Sequence, residues 1–101
     1  MGTDNGQEWV AFADADLDTA QLLQKMRPMH HEIICYHCEQ AAEKYLKGYL
    51  TAQKIFPPKT HELEKLCAMC AEKDKFFDDI AGICGFLTQF GTQPRYPHEM
   101  D

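Results

Sequence analysis

The strongest constraint on the fold is a proline-free run of helix-forming residues from 35 to 50, with the sequence CYHCEQAAEKYLKGYL. With successive residues about 100° apart around a helix, apolar side chains occupy about half of its circumference. This arc is wider than the apolar stripe of an ordinary surface helix. The members of the arc are Ile34, Cys35, Cys38, Ala41, Ala42, Tyr45, Leu46, Gly48, Tyr49, Leu50 and Ala52. The run therefore predicts the central helix of an all-α bundle, packed on more than one side.

Three other helices are predicted around this central one. The predicted bounds are Glu8 to about Met26, His31 to Lys54, a third helix with Thr60 as its N-cap, and a fourth from Asp74 that stops near Gly91. The apolar stripe of the first helix includes Trp9, Phe12, Ala13 and Leu17. Gly82 and Gly85 predict close helix contact in the fourth, since each lowers helix stability by about 1 kcal/mol relative to Ala. Short connections favour an antiparallel up-and-down four-helix bundle.

Length and composition indicate one small domain. The chain has 101 residues and 45% hydrophobic residues, so residues 8–101 are predicted to form a single helical domain after a disordered tail at 1–7. The net charge of −6 excludes an overall basic surface but leaves room for a local basic patch. No apolar run is long enough to span a membrane, and the N-terminus lacks a signal-peptide pattern. A cytoplasmic protein with no membrane partner and no cofactor is therefore expected.

The five cysteines include two C-x-x-C pairs, Cys35/Cys38 and Cys67/Cys70. Four thiolates can bind zinc or an iron–sulfur cluster, so a four-cysteine metal-binding module is one hypothesis. Both pairs, however, lie within helical patterns and have no Gly or Pro between the thiols. Each thiol also falls on an apolar face, where free cysteine behaves as a small hydrophobe. We therefore expect core cysteines and no metal site.

Asp16 is the exception in the first helix, because the helical wheel places it among apolar residues on the buried side. A buried carboxylate costs several kcal/mol unless a cation or hydrogen-bond donors meet it. Two interpretations remain open. Asp16 lies at a wet edge of the stripe, or it accepts hydrogen bonds from a Tyr, His or Lys of the central helix and fixes the helix register.

One polar strip of the central helix contains His37, Gln40, Lys44 and Lys47 at helical spacing. An imidazole and two lysines on a common strip could bind a phosphate or the polar edge of a nucleotide. The simpler interpretation is a solvated face stabilised by a Glu43–Lys47 pair, which contributes only a few tenths of a kcal/mol. The simpler interpretation is favoured.

Lys59, Thr60 and His61 stand at the predicted start of the third helix. Free backbone N–H groups and the helix dipole attract anions at such a position. An N-cap role explains Thr60 but leaves Lys59 and His61 unexplained, so all three are candidates for ligand binding.

The segment from Arg95 to His98 combines a guanidinium group, the aromatic ring of Tyr96 and an imidazole. Arg95 and Tyr96 suit phosphate pairing and base stacking. As a catalytic pair, Arg95 could stabilise developing charge while His98 acts as a general acid or base. The alternative is a proline-bounded loop whose tyrosine packs on the bundle.

Four segments together closely resemble the HEPN domain family: Trp9…Ala13-x-x-Asp16-Leu17, residues 35–47 (CYHCEQAAEKYLK), residues 57–63 (PPKTHEL) and residues 95–97 (RYP). The resemblance implies a compact antiparallel helical bundle, commonly a homodimer. It also implies an association with nucleotides or RNA. Such domains often accompany a minimal nucleotidyltransferase in toxin–antitoxin-like pairs, and some members are metal-independent ribonucleases.

Two departures from the family pattern shape the expected function. Ribonuclease members have a wider Arg–His spacing than Arg95 and His98, or Arg27 with His30 and His31, provide here. We therefore expect a binding module without the usual ribonuclease motif, with a divergent ribonuclease using Arg95 and His98 as the alternative. The family's usual final helix is also missing before the chain stops at Asp101. Either the sequence is truncated relative to the family, or another copy or chain completes the bundle. An uncovered apolar groove would favour association, so we expect a dimer or larger assembly.

Overall fold

The computed structural model describes residues 5–91, in which all regular secondary structure is helical. The helices are α1 (Gln7–Leu23), α2 (His31–Ala52), α3 (Leu63–Ala71), α4 (Phe76–Asp79) and α5 (Ala81–Thr88). The predicted all-α class is confirmed. None of these helices is both long and apolar enough to cross a membrane.

The predicted fourth helix is interrupted and forms two pieces. Ile80 leaves the helical region of backbone space, with φ −107° and ψ 8°, and separates the single turn of α4 from α5. Asp74 accepts a hydrogen bond from the Phe76 N–H at 2.9 Å, but the residue directly before α4 is Lys75, so Asp74 lies one position ahead of its predicted place as the cap. The complete antiparallel four-helix arrangement remains a prediction; antiparallel contacts are seen for α1 with α2 and for α3 with α5.

Helix α1 packs against α2 alone among the described helices. The start of α1 lies beside the end of α2, since Trp9 is next to Gly48, whereas Asp16 further along α1 reaches back to His37. The buried alanines of this interface are Ala13, Ala20 and Ala41. Because these side chains are short, the two helix backbones can approach closely.

The closest approach of α1 and α2 lies at Gly48. A Cβ atom added there would lie 3.1 Å from the Cβ of Trp9 and 3.3 Å from the carbonyl oxygen of Gly6. Gly6 has φ +94°, a left-handed conformation that glycine adopts without strain, and a Cβ on it would overlap the Gly48 carbonyl. Gly6 is therefore buried against α2, although it falls within the predicted tail; residues 1–4 lie outside the described part.

The opposite side of α2 packs on α3 and α5 through a conventional apolar core. Its buried members are Leu46, Leu50, Leu63, Leu66, Cys67, Cys70 and Cys84. The start of α3 is joined to the end of α5 through Thr88, whose hydroxyl donates to Glu64 at 2.9 Å and accepts from the Leu63 N–H at 3.3 Å. Helix α2 is thus covered on two sides by different kinds of surface.

The end of α2 is a Schellman motif. The N–H of Ile55 donates to the carbonyl of Leu50, and the N–H of Lys54 donates to Thr51, both at 2.9 Å. Lys54 occupies the left-handed position with φ 67°, which is usually taken by Gly or Asn. This turn ends α2 at Ala52 and directs the chain into the segment 55–59.

Two predictions about packing were wrong. Gly82 has open space where a Cβ would lie, and Gly85 would make only an ordinary 3.4 Å contact with Glu64, because α5 buries chiefly its Cys84 side. In α1, the predicted stripe is only partly covered, and Phe12 is 62% exposed. The reason is that a helix with one packing neighbour cannot bury a broad apolar face.

The glycines give a matched test of the α1–α2 contact. Gly82→Ala should raise the free energy of unfolding by about 1 kcal/mol, because it gains helix propensity in open space. Gly48→Ala should lower it by about 1–3 kcal/mol, because the added methyl meets the backbone-attached Cβ of Trp9. Urea unfolding measures both. Equal stabilisation by the two substitutions would contradict the close approach at Gly48.

Candidate ligand-binding site

Asp16 joins α1 to the polar strip of α2. Its carboxylate accepts a hydrogen bond from Nδ1 of His37 at 3.0 Å and pairs with the ammonium group of Lys44 at 2.5 Å. The three side chains are 15%, 25% and 26% exposed, so water screens this cluster only in part. The geometry is that of the second interpretation of Asp16, in which donors from α2 meet the carboxylate and fix the register of the two helices.

Glu43 is the centre of a second polar cluster. Its carboxylate pairs with Lys47 one turn along α2 at 2.9 Å and with Nδ1 of His61 at 3.1 Å. The ammonium group of Lys47 also lies 5.5 Å from the ring centre of Trp9, within the range of a cation–π contact. These contacts connect the start of α1, the middle of α2 and the segment before α3.

The Glu43–Lys47 pair of the simpler sequence interpretation is present. The surrounding face of α2 is less solvated than that interpretation expected, since His37, Gln40 and Lys44 are half-buried. Glu39 is fully buried, and Glu43 and Lys47 are 5% and 7% exposed. Trp9 lies beside Lys47 on one side, and the backbone at Gly91 approaches Glu39 on the other. Gln40 partly satisfies the buried Glu39 carboxylate by donating a hydrogen bond to it at 2.8 Å.

A cleft of about 530 Å³, here called the lysine cleft, opens where the start of α1 meets the end of α2. It is lined by Trp9, Lys47, Thr51, Lys54, Ile55, Phe56, Pro57, Pro58 and Lys59. Three lysines border it, and no Asp or Glu is among these described lining residues. In a chain of net charge −6 this is a local concentration of positive charge beside an apolar, partly aromatic wall.

The three candidates at residues 59–61 have different positions. Lys59 lines the lysine cleft, whereas His61 is 77% exposed and bonds to Glu43. Thr60 is not the N-cap of α3, because that helix begins at Leu63 with Glu62 before it. The Thr60 hydroxyl instead accepts a hydrogen bond from the Glu62 N–H at 3.2 Å in the turn before the helix. The predicted helix-start anion site is therefore wrong in its position.

Burial raises the pKa of Glu39 above its ordinary value, and the neighbouring carboxylates of Glu43 and Asp16 add to the increase. The hydrogen bond from Gln40 and the nearby His61 act in the opposite direction. One carboxylate oxygen, Oε2, has no hydrogen-bond partner among the described residues and lies near Gly91. Glu39 is thus an acidic group whose neutral form is favoured by its surroundings.

The cysteines do not form a four-thiol site in the described part of the chain. Cys67 and Cys70 lie in the apolar core, where their thiols donate to the carbonyls of Phe77 and Leu46. Burial raises the pKa of Cys70 to about 12, and likewise that of Cys84, so both stay protonated. No group of three or more metal-ligating side chains occurs within residues 5–91. The arrangement therefore gives no support to the metal-binding hypothesis.

The remaining predicted site residues, Arg95, Tyr96 and His98, lie outside the described residues. Conversely, only Lys47 and Lys59 of the residues lining the lysine cleft were candidates from the sequence, and Trp9, Lys54 and Phe56 are among those that were not singled out for binding. The sequence assigned Trp9 to the apolar stripe of the first helix, and in the structure Trp9 is half-buried and packs beside Gly48 of α2. The available signal was Phe56, an aromatic residue two positions after Lys54 and directly before Pro57 and Pro58, because these prolines hold the chain extended beside the end of α2.

Glu39 gives a prediction for the pH dependence of stability. Because the pKa of Glu39 is raised in the folded state, its protonation favours folding at pH values below the pKa of a glutamate in the unfolded chain, about 4.3. This contribution to stability is lost as the pH rises through the higher pKa of the folded state. Glu39→Gln should therefore raise the free energy of unfolding at pH 7 by about 1–3 kcal/mol, with the gain shrinking towards pH 4. Urea unfolding across this range measures the effect. The exposed Glu72→Gln is the control, and the same change in both variants would contradict the prediction.

Comparisons with known proteins bear on this architecture. Comparison with curated proteins and with solved structures gave no match. The family model of the HEPN domain matches residues 7–101, which is nearly the whole chain and includes every helix described above. The chain therefore belongs to the HEPN domain family.

Proposed function

We propose that this HEPN domain is a nucleotide- or RNA-associated binding module that acts as a homodimer beside a minimal nucleotidyltransferase, in a toxin–antitoxin-like pair. The observation that carries the proposal is the lysine cleft. Lysine ammonium groups attract phosphate oxygens, and exposed aromatic rings stack on bases with little sequence preference. The cleft places Lys54 and Lys59 beside Trp9 and Phe56, of which Phe56 is 85% exposed.

Binding is better supported than catalysis in the described part of the chain. Arg27, the one arginine within residues 5–91, donates to the backbone carbonyls of Gln24 and Met26 at 3.0 and 2.7 Å. It is therefore occupied in the turn after α1 and does not border the lysine cleft. The ribonuclease alternative rests on Arg95 and His98, for which the described residues supply no geometry.

Assembly with a second chain is supported by exposed apolar side chains on two sides of the bundle. Helix α1 contacts only α2 and exposes Val10, Phe12, Leu17 and Leu22, while α4 and α5 expose Phe76, Ile83 and Phe86. Large apolar side chains in water favour association. The homodimer is proposed on this ground and on the family resemblance. The nucleotidyltransferase partner is proposed on the resemblance alone, and co-purification of the two proteins tests it.

The fluorescence of Trp9 tests ligand binding directly, because Trp9 is the single tryptophan and lines the lysine cleft. Titration with single-stranded RNA or nucleoside phosphates in EDTA should give a saturable change that weakens with added salt. Lys54→Gln should weaken binding about tenfold, the effect of one charge-assisted hydrogen bond. Lys65→Gln, an exposed change in α3 away from the cleft, is the matched control.

Two outcomes would contradict the binding proposal. One is the absence of any Trp9 response or calorimetric signal with both ligand classes. The other is equal weakening by Lys54→Gln and Lys65→Gln, which would mean that binding is a general charge effect outside the lysine cleft. Cleavage of the RNA in EDTA would favour the ribonuclease alternative instead.

A further inference from the structure

We infer that the lysine cleft recognises a phosphomonoester dianion attached to an aromatic base, and not the internal phosphodiesters of a nucleic acid strand. The inference rests on the proposed function and deepens it by naming the ligand group. The phosphomonoester has two possible sources, a free nucleoside monophosphate or the phosphorylated end of an RNA strand. Both present the same chemistry to the cleft.

The size of the cleft is the first argument. Its volume of about 530 Å³ lies within the 300–1,000 Å³ typical of small-molecule sites. Its walls come from short adjoining pieces of structure, namely the start of α1, the end of α2 and the segment 55–59. A single nucleotide unit fits such a space, whereas an internal stretch of a strand needs a groove that continues on both sides.

The charge of the cleft is the second argument. Lys47, Lys54 and Lys59 bring three positive charges, and one of these is offset by Glu43, which pairs with Lys47 at 2.9 Å. Two positive charges remain. A phosphomonoester carries about −1.5 to −2 charges at pH 7, whereas a phosphodiester carries only about one. The dianion therefore neutralises the cleft, and the monoanion leaves one lysine without a counter-charge.

The fixed position of Lys47 gives the cleft a defined inner end. Its side chain is only 9% exposed and is held between Glu43 and the ring of Trp9. Lys54 and Lys59 are exposed and stand at the rim. Lys54 belongs to the Schellman turn, where its left-handed φ of 67° is a conformation that a lysine adopts less readily than Gly or Asn. A lysine at this turn adds a positive charge to the rim that Gly or Asn would not supply.

The apolar part of the cleft suits the base. Phe56 is an exposed aromatic ring beside Pro57 and Pro58, which hold the segment extended. Aromatic stacking contributes about 1–3 kcal/mol per base and tolerates any base. Apart from the indole N–H of Trp9, the hydroxyl of Thr51 is the one uncharged polar group on the described lining side chains. The cleft therefore selects the phosphate strongly and the identity of the base weakly.

Adenosine derivatives that differ only in the phosphate test this inference. Adenosine 5′-monophosphate should bind the full chain at least tenfold more tightly than adenosine or cyclic adenosine 3′,5′-monophosphate, which is a monoanionic diester with the same base. Binding is read by Trp9 fluorescence and calorimetry. Its affinity should rise between pH 5 and 7.5, as the second phosphate ionisation near pH 6 produces the dianion. Lys54→Gln and Lys59→Gln should each weaken binding about tenfold, and Lys25→Gln and Lys65→Gln should not.

Single-stranded RNA with and without a 5′- or 3′-terminal phosphate separates the two sources. Tighter binding of the phosphorylated strand than of the monophosphate, weakened about tenfold by Lys54→Gln, identifies an RNA end. The reverse order of affinities identifies a free nucleotide. Equal binding of the monophosphate and its cyclic diester overturns the inference. So does RNA binding that is sensitive to Lys54→Gln but indifferent to terminal phosphates, although it leaves the proposed function intact. Failure of every nucleotide and RNA to bind overturns both, and circular dichroism confirms that each variant is folded.

Discussion

The close approach of α1 to α2 at Gly48 is the constraint on which the rest of the structure depends. A side chain there would separate the helices, and Trp9 would move away from the end of α2. Trp9 connects the helix packing to the lysine cleft, because its ring lies against the ammonium group of Lys47 and also lines the cleft. Helix packing and the proposed ligand site therefore share the same residue.

Two different interfaces hold α2, and each suits its role. The side towards α3 and α5 buries leucine and cysteine side chains. Their transfer from water stabilises the fold, but this hydrophobic contribution is non-directional and does not fix one alignment of the helices. The side towards α1 combines small residues with the Asp16–His37 and Asp16–Lys44 contacts, which require one alignment of the helices. The apolar core stabilises the fold by removing these side chains from water, and the polar contacts specify which residues of α1 reach the end of α2.

Much of the fold could be predicted from the sequence, because a helix is indicated by the regular spacing of apolar residues along one short stretch of chain. The half-apolar wheel of residues 31–54 predicted a buried central helix, and α2 is covered on two sides. The helical wheel of the first helix placed Asp16 on its buried side. It could not show that Glu39 and Glu43 are buried, because a helical wheel sorts residues by polarity and contains no information on which neighbour covers them.

The lysine cleft could be predicted only in part from the sequence. Lys47 and Lys59 were candidates because of their motifs, but they belong to segments whose meeting depends on the Schellman turn at Lys54. A lysine in a left-handed conformation has no sequence signature comparable to that of glycine. The predictions that Phe12 is buried and that Gly82 marks a close helix contact were wrong for a related reason. Burial and close contact both depend on how many helices pack against the one in question.

Native-state hydrogen exchange tests the central claim, that α2 is the doubly covered element around which the chain folds. Amides of residues 41–50 should exchange only through global unfolding, so their opening free energy should equal the free energy of unfolding measured with urea. Amides of α1, which packs on α2 alone, should open at lower free energy. Exchange of residues 41–50 through local openings, at a free energy below that of α1, would contradict the account.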